Sequence, residues 1–190
     1  MKNKNKSIKY KNVIFFVLAY TLLFLNTSYS EDFFFEGSEI QILKNGQKLK
    51  SDKGVKITTS NDILITAREF EYDKIKFELI LVGDVILQDK QNQTIIKTNK
   101  IKYLKNLEEI YTYGETDIEI ESNIFVTTKN IIYYKNENRI KSTFKTQVND
   151  RFGNIFFTDE FVFNVNNKVL KGKNVLIKDI DNNDYFLESF

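Results

Sequence analysis

Few of the 190 residues are of types that could do covalent chemistry. Histidine is absent, which removes the usual general base, the Ser-His and Cys-His nucleophile pairs and the commonest zinc ligand. Asp179-Ile180-Asp181-Asn182-Asn183-Asp184 sets oxygen ligands in close succession, as a hard cation requires. It lacks the glycine and closing bidentate Glu of a helix-loop-helix calcium site, so it reads as a hairpin turn. Glu119 and Glu121 would share one side of a strand, with nothing beside them to drive their pKa values apart. No nucleophile motif is present. The expectation is a protein that is not an enzyme, with no catalytic or metal site and no cofactor.

Lysines and arginines supply the other reactive chemistry. Lys97, Lys100, Lys102 and Lys105 are expected on one outward strand-and-corner region, followed in the next repeat by Lys129, Lys135, Arg139, Lys141 and Lys145. Ammonium groups so placed could meet phosphates, or could form a solvated face that keeps a long sheet soluble. Glu108 and Glu109 dilute any basic patch. Charge overall gives no nucleic-acid footprint, which would show clustered Lys and Arg and a high pI.

What the sequence does repeat is an apolar pattern. Ile65-Thr66-Ala67-Arg68-Glu69-Phe70-Glu71-Tyr72 returns as Ile96-Lys97-Thr98-Asn99-Lys100-Ile101-Lys102-Tyr103, then as Val126-Thr127-Thr128-Lys129-Asn130-Ile131-Ile132-Tyr133 and Phe156-Phe157-Thr158-Asp159-Glu160-Phe161-Val162-Phe163. The first residues, 65, 96, 126 and 156, are 31, 30 and 30 positions apart, the mark of a stacked repeat architecture. Within each copy the alternation slips by one residue at a polar corner. In a flat strand that slip would turn the second apolar set outward, so each copy predicts a strand bent or bulged at its middle. Ile65, Phe70, Tyr72, Ile101, Tyr103, Ile131, Tyr133, Phe161 and Phe163 then face inward. They could line an apolar groove, or they could pack against each other as core.

Proline is absent, and Ile, Val, Phe, Tyr and Thr dominate the runs between clusters of Asn, Asp, Lys and Gly. Turns are predicted at Asp73-Lys74, Lys105-Asn106, Lys135 to Asn138 and Asn164 to Lys168. Gly54, Gly83, Gly114 and Gly172 reset the pattern, and the copy near Lys145 lacks its glycine. Stacked bent hairpins predict two facing, twisted sheets with an apolar interior and open strand edges at both ends. Without cysteine, no disulfide can staple such a domain.

Ahead of the repeats, Lys2, Lys4, Lys6, Lys9 and Lys11 precede an apolar run from Val13 to Leu25 and then Asn26-Thr27-Ser28-Tyr29-Ser30. This has the charged, apolar and small-residue regions of a secretory signal over 1–30, with cleavage expected before Glu31 and the domain over 31–190. An uncleaved anchor is the alternative, although the run is shorter than the roughly 20 residues of a spanning helix. Five of the 28 basic residues lie in that segment and all 26 acidic ones lie after it, leaving 23 against 26, a net charge of −3.

The repeat Gly-x-Val-x-Ile, turn, Ile-x-Ala/Thr-x-x-Phe-x-Tyr-Asp/Asn-Lys, over about Phe33 to Leu187, resembles the organic-solvent-tolerance-like (OstA-like) family. That family includes the lipopolysaccharide-transport protein LptA and the N-terminal periplasmic domain of the lipopolysaccharide-assembly protein LptD. The resemblance implies an elongated, bent β-jelly roll in the periplasm that holds lipopolysaccharide acyl chains between its sheets. It further implies end-to-end strand pairing with other transport proteins toward the outer membrane, driven by an ATPase elsewhere. The nine inward residues are then the lipid-contact candidates. Phe33 to Ile40 and Tyr185 to Glu188 look closer to the assembly-protein domain. With Phe190 the last residue, the expectation is either a stand-alone bridge protein or part of a longer one carrying a β-barrel. The rival is an exported structural or adhesive β-solenoid with a closed core and a protein or glycan partner.

Overall fold

The one-residue slip at each polar corner is a bend in the backbone. The computed structural model describes residues 33–187, all-β apart from a turn of 3-10 helix at Lys135–Glu137; the expected signal segment lies outside the described residues. Short strands come first: β1 (Phe33–Glu36), β2 (Gln41–Leu43), β3 (Lys48–Ser51), β4 (Val55–Thr59), β5 (Ile63–Ala67) and β6 (Glu69–Asp73). Three long ones follow, β7 (Glu78–Asp89), β8 (Thr94–Leu104) and β9 (Glu109–Ile120). Then come β10 (Ile124–Lys129), β11 (Ile132–Tyr134), β12 (Arg139–Ser142), β13 (Thr146–Asp150) and β14 (Ile155–Thr158). The last are β15 (Glu160–Asn164), β16 (Val169–Lys173), β17 (Val175–Lys178) and β18 (Asp184–Leu187).

Pairing is antiparallel throughout and sorts the strands into two layers. One layer runs β1, β4, β5, β7, β8, β9, β10, β13, β14, β17, β18. The other runs β2, β3, β6, β7, β8, β9, β11, β12, β15, β16. The long strands belong to both, because each bends from the first layer into the second. The sheet is continuous and does not close, so β1, β2, β16 and β18 each keep one edge unpaired among the described residues.

The bends are held by their own hydrogen bonds. Arg68, between β5 and β6, donates its N–H to the carbonyl of Gly83 (3.0 Å) and accepts from the N–H of Gly54 (2.8 Å). Two repeats on, Asn130 donates its N–H to the carbonyl of Gly114 (3.1 Å), and its side-chain Oδ1 accepts the Gly114 N–H (2.7 Å). Register shifts fall at the same level, between Val82 and Val85 and between Thr98 and Lys100. Gly83 and Gly114 have φ of +84° and +90°, a region that glycine enters freely and side-chain-bearing residues avoid.

A row of hydroxyls follows the bends. Thr98 donates to the Glu115 carbonyl (2.8 Å), Ser142 to the Lys129 carbonyl (2.8 Å) and Thr158 to the Glu160 carbonyl (2.6 Å). Bulges remove ladder partners from backbone carbonyls, and a buried carbonyl without a partner is costly. The Thr at the third position of the second and fourth motif copies supplies that partner directly, and in the third copy Ser142 supplies it, held by Thr128 Oγ1 (3.1 Å). Deeper inside, cross-strand apolar rows run the length of each layer. Phe35, Ile57, Ile65, Leu87, Ile96, Ile118, Val126, Val148, Phe156 and Ile177 are successive partners in the first. Each fully buried Leu, Ile or Phe contributes about 1.5–3 kcal/mol.

Gly114 is open around its Cα, whereas a Cβ on Gly83 would lie 2.4 Å from Arg68 Nε. Gly114→Ala is expected to cost about 1–2 kcal/mol from the left-handed backbone alone, and Gly83→Ala more. Urea denaturation of the two variants measures the difference.

Candidate functional site

The two ends of the stack differ. At the N-terminal end, β1 turns Phe33 and Phe35 into the space between the layers. The Phe33 ring lies edge-on to Tyr72 (5.3 Å between centroids) and to Tyr103 (5.4 Å), and Phe35 stacks on Phe70 at 5.0 Å. The Lys105 ammonium lies 5.2 Å from the centre of the Phe33 ring. That end is filled by aromatic packing.

At the C-terminal end the layers enclose a cleft of about 420 Å³. Ile124, Val126, Val148, Phe156, Val175, Ile177 and Leu187 line it from the first layer, and Phe163, Leu170 and Gly172 from the second. No rung follows β16 and β18 among the described residues, so inward residues here have space where earlier ones have neighbours. Asp150 and Lys168 mark the rim. Burial pushes the Asp150 carboxyl up, but hydrogen bonds from Asn154, Phe152 and Gly153 outweigh it, so its pKa lies below the ordinary range. Lys168 reaches across to Glu121 at 2.8 Å, joining a hairpin tip of one layer to a tip of the other. A second hollow of about 230 Å³, at the first repeat, is walled by Lys50, Asp52, Glu69 and Glu71 beside Phe70 and Val82. Such mixed charge suits water.

Between the cleft and the filled end, the layers meet through polar groups. Tyr133 donates its hydroxyl to Asp89 Oδ2 (2.8 Å), and both residues are buried. Asn92 Nδ2 contacts Asp89 Oδ2 (2.8 Å), the Tyr133 hydroxyl (3.1 Å) and Asn138 Oδ1 (3.0 Å). Burial, then the Asp89 charge, pushes the Tyr133 pKa well above its usual value. Nearer the N-terminal end, Tyr103 donates to Glu108 Oε2 (2.7 Å), which Lys135 approaches at 3.2 Å.

All nine residues singled out as inward-facing are inside, none more than 6% exposed, and all belong to one core cluster. Phe163 reaches the cleft. Ile65, Tyr72, Ile101, Tyr103, Ile131, Tyr133 and Phe161 are sealed in the core, and Phe70 borders only the smaller polar hollow. Spacing selects the inward face but cannot say where along the stack that face is left uncovered. The cleft residues beyond Phe163 come from the last repeats, and nearness to the end of the repeat series was the signal that could have found them. Of the lysines expected to face outward, Lys97 and Lys100 are exposed and Lys102 half-buried, pairing with Glu78. Lys105 is a correction: it is 8% exposed, because the β8–β9 turn folds it over the Phe33 ring. Glu121 stands in a turn at φ +50° and not on the strand with Glu119. Asp179 caps the β17–β18 hairpin, its Oδ1 accepting the N–H groups of Asp181 (2.9 Å) and Asn183 (2.8 Å).

No family model and no curated protein matches the sequence. Among solved structures, this chain is similar to LptH from Pseudomonas aeruginosa, the LptA-homologous periplasmic component of the conserved lipopolysaccharide transport device. The match has a TM-score of 0.53 at 16% identity and covers 68% of this chain and 96% of that one. The fold is LptA-like. The all-β, open, bent jelly roll expected from the OstA-like repeat is thereby borne out. The TCP10 domain of Danio rerio CPAP, in complex with a peptide of Danio rerio STIL, covers 83% of this chain and 100% of its own at 10% identity. Its TM-score of 0.16 is too low to imply a shared fold.

The LptA-like interior depends on the Tyr133–Asp89 contact in a pH-dependent way. Because the folded-state value of Tyr133 is raised, its contribution is complete below the ordinary tyrosine value of 10.0 and is lost as pH rises toward the folded-state value. Tyr133→Phe is expected to cost about 1–3 kcal/mol at pH 8, since Asp89 loses a buried donor. The gap to the parent should narrow above pH 10, which urea midpoints at both pH values measure.

Proposed function

We propose that this protein is a periplasmic component of lipopolysaccharide transport, a carrier that makes and breaks no bond. The observation that carries the proposal is the C-terminal cleft: an apolar space between two sheets, open at the end of the stack and rimmed by a lysine that already bridges the layers. Acyl chains in it are shielded from water, at about 25 cal/mol per Å² of apolar surface buried. Sugars and phosphates stay outside.

The free edges of β1 and β2 at one end and of β16 and β18 at the other pair with neighbouring transport proteins, since an unpaired strand edge is a ready template for another strand. On β18, Tyr185, Phe186 and Leu187 are all more than half exposed, as strand residues awaiting a neighbour would be. The LptA-like fold supports the same role, because LptH is a periplasmic component of a lipopolysaccharide transport device. The site of action is the periplasm, or the periplasmic face of the outer membrane when the domain is joined to a β-barrel. Acyl contact centres on Phe163 and its neighbours in the cleft; the other eight inward residues join it only where the layers part.

A photo-crosslinking residue at Phe156, in cells making lipopolysaccharide, is expected to give a lipopolysaccharide adduct that depends on the transport ATPase. The same residue at Lys97, on the outside, is expected to give none. Adducts to protein alone from both positions would overturn the carrier role in favour of a closed structural β-solenoid.

A further inference from the structure

Asp89, Asn92, Tyr133 and Asn138 stand where the apolar interior would otherwise run on into the cleft. In the first layer, Thr94 and Ile120 separate Asp89 from the cleft residue Ile124 along one cross-strand row. In the second layer, only Ile140 separates Tyr133 from Phe163. The cluster therefore does not line the cleft but stands one or two residues behind its lining, with Thr94, Ile120 and Ile140 buried between them. A buried carboxylate and tyrosine are costly to desolvate compared with apolar side chains of similar size, so four polar groups are a poor choice for packing alone.

Their position suggests what they do. The layers are joined covalently along the bends, at Arg68, Gly83, Gly114 and Asn130. The cluster lies at the opposite side, beside the hairpin turns between β7 and β8 and between β11 and β12. Parting the layers at their tips while they pivot at the bends breaks the Asn92–Asn138, Asn92–Tyr133 and Tyr133–Asp89 contacts. Water can replace each of these hydrogen bonds, whereas parting an apolar wall would expose it without compensation. The cleft of about 420 Å³ is at the low end of the roughly 300–1,000 Å³ of small-molecule sites. It has room for one hydrocarbon chain and not for several side by side.

We infer that Asp89, Asn92, Tyr133 and Asn138 form a latch between the layers that decides which lipids the cleft accepts. Closed, the latch ends the cleft at one apolar tail. Open, it lets the layers part so that a lipid with several tails enters. The latch rests on the carrier role proposed above, and it makes the four residues determinants of specificity without requiring that they touch the tail in the closed form.

The chain has no cysteine, so Asn92→Cys with Asn138→Cys creates a single possible disulfide, across two side chains that are in contact at 3.0 Å. Oxidised, the variant is expected to bind dansyl-undecanoic acid as the parent does but lipid A at least tenfold more weakly; reduction is expected to restore lipid A. Equal lipid A binding in the two redox forms overturns the latch. Asn92→Ala, which removes the central donor, is expected to take up lipid A faster than the parent, and unchanged or slower uptake overturns it too. Amide hydrogen exchange reads the latch without any lipid. Exchange at Asn138 to Ile140 is expected to be at least tenfold slower in the oxidised than in the reduced variant, and equal rates overturn the latch. Failure of the parent to bind either probe would instead overturn the carrier role, leaving exchange to decide on the latch.

Discussion

Everything in this fold depends on a bend that the backbone must make in each repeat. Side chains on a strand alternate between faces, so two apolar sets out of phase by one residue can share an interior only if the chain turns between them. The bends provide that turn and meet its cost. Hydrogen bonds between neighbouring corners, left-handed glycines and inward threonine hydroxyls take up the backbone groups that a bulge removes from the ladder. Corners bond to their neighbours at Gly54–Arg68–Gly83, Thr98–Glu115, Gly114–Asn130, Lys129–Ser142 and Thr158–Lys173, and these bonds lie where the two layers join.

A stack built this way is uniform in its middle and different at its ends. Each inward side chain in the central repeats is covered by neighbours on both sides and by the facing layer, which leaves Ile57, Ile65, Leu87, Ile96 and Tyr103 with no exposed surface. At the N-terminal end β1 brings its own cover, two phenylalanines set against Phe70, Tyr72 and Tyr103. At the C-terminal end β16 and β18 bring none, and the same inward pattern becomes the wall of a cleft. Core and cleft wall are thus one apolar face under different degrees of cover.

Polar groups inside such a stack stand out against that background. The hydroxyls where the layers join serve backbone carbonyls and keep the bends satisfied. Those around Asp89 and Tyr133 serve each other across the layers. The first kind would be needed in any bent sheet. The second caps the β7–β8 turn, where Asp89 Oδ1 accepts the Asn92 N–H (3.0 Å), and in addition ties that turn to the facing layer through Tyr133 and Asn138. Lys168 and Glu121 make a similar bridge at the rim, although an exposed pair contributes little to stability.

The sequence by itself determined the strands, their bend and their inward face, because these follow from alternation, its slip at the corner and a period of about 30 residues. Ile65, Tyr72, Tyr103, Ile131 and Phe161 could be placed inside on that basis, and the turns at Lys105, Lys135 and Asn164 fell where Asn and Lys cluster. Which inward residues are sealed and which face open space was decided only by the tertiary structure, since local patterns are the same at the middle and at the end of a stack. Phe156, Leu170 and Ile177 therefore face the cleft although nothing in their local pattern sets them apart from sealed residues such as Ile65 and Tyr133. Lys105 shows the same limit: nothing local distinguishes a lysine in a solvated turn from one whose turn folds it over a ring 72 residues earlier in the chain. The Asp89–Tyr133 contact joins residues 44 apart across two layers. Only the facing of those layers brings them together.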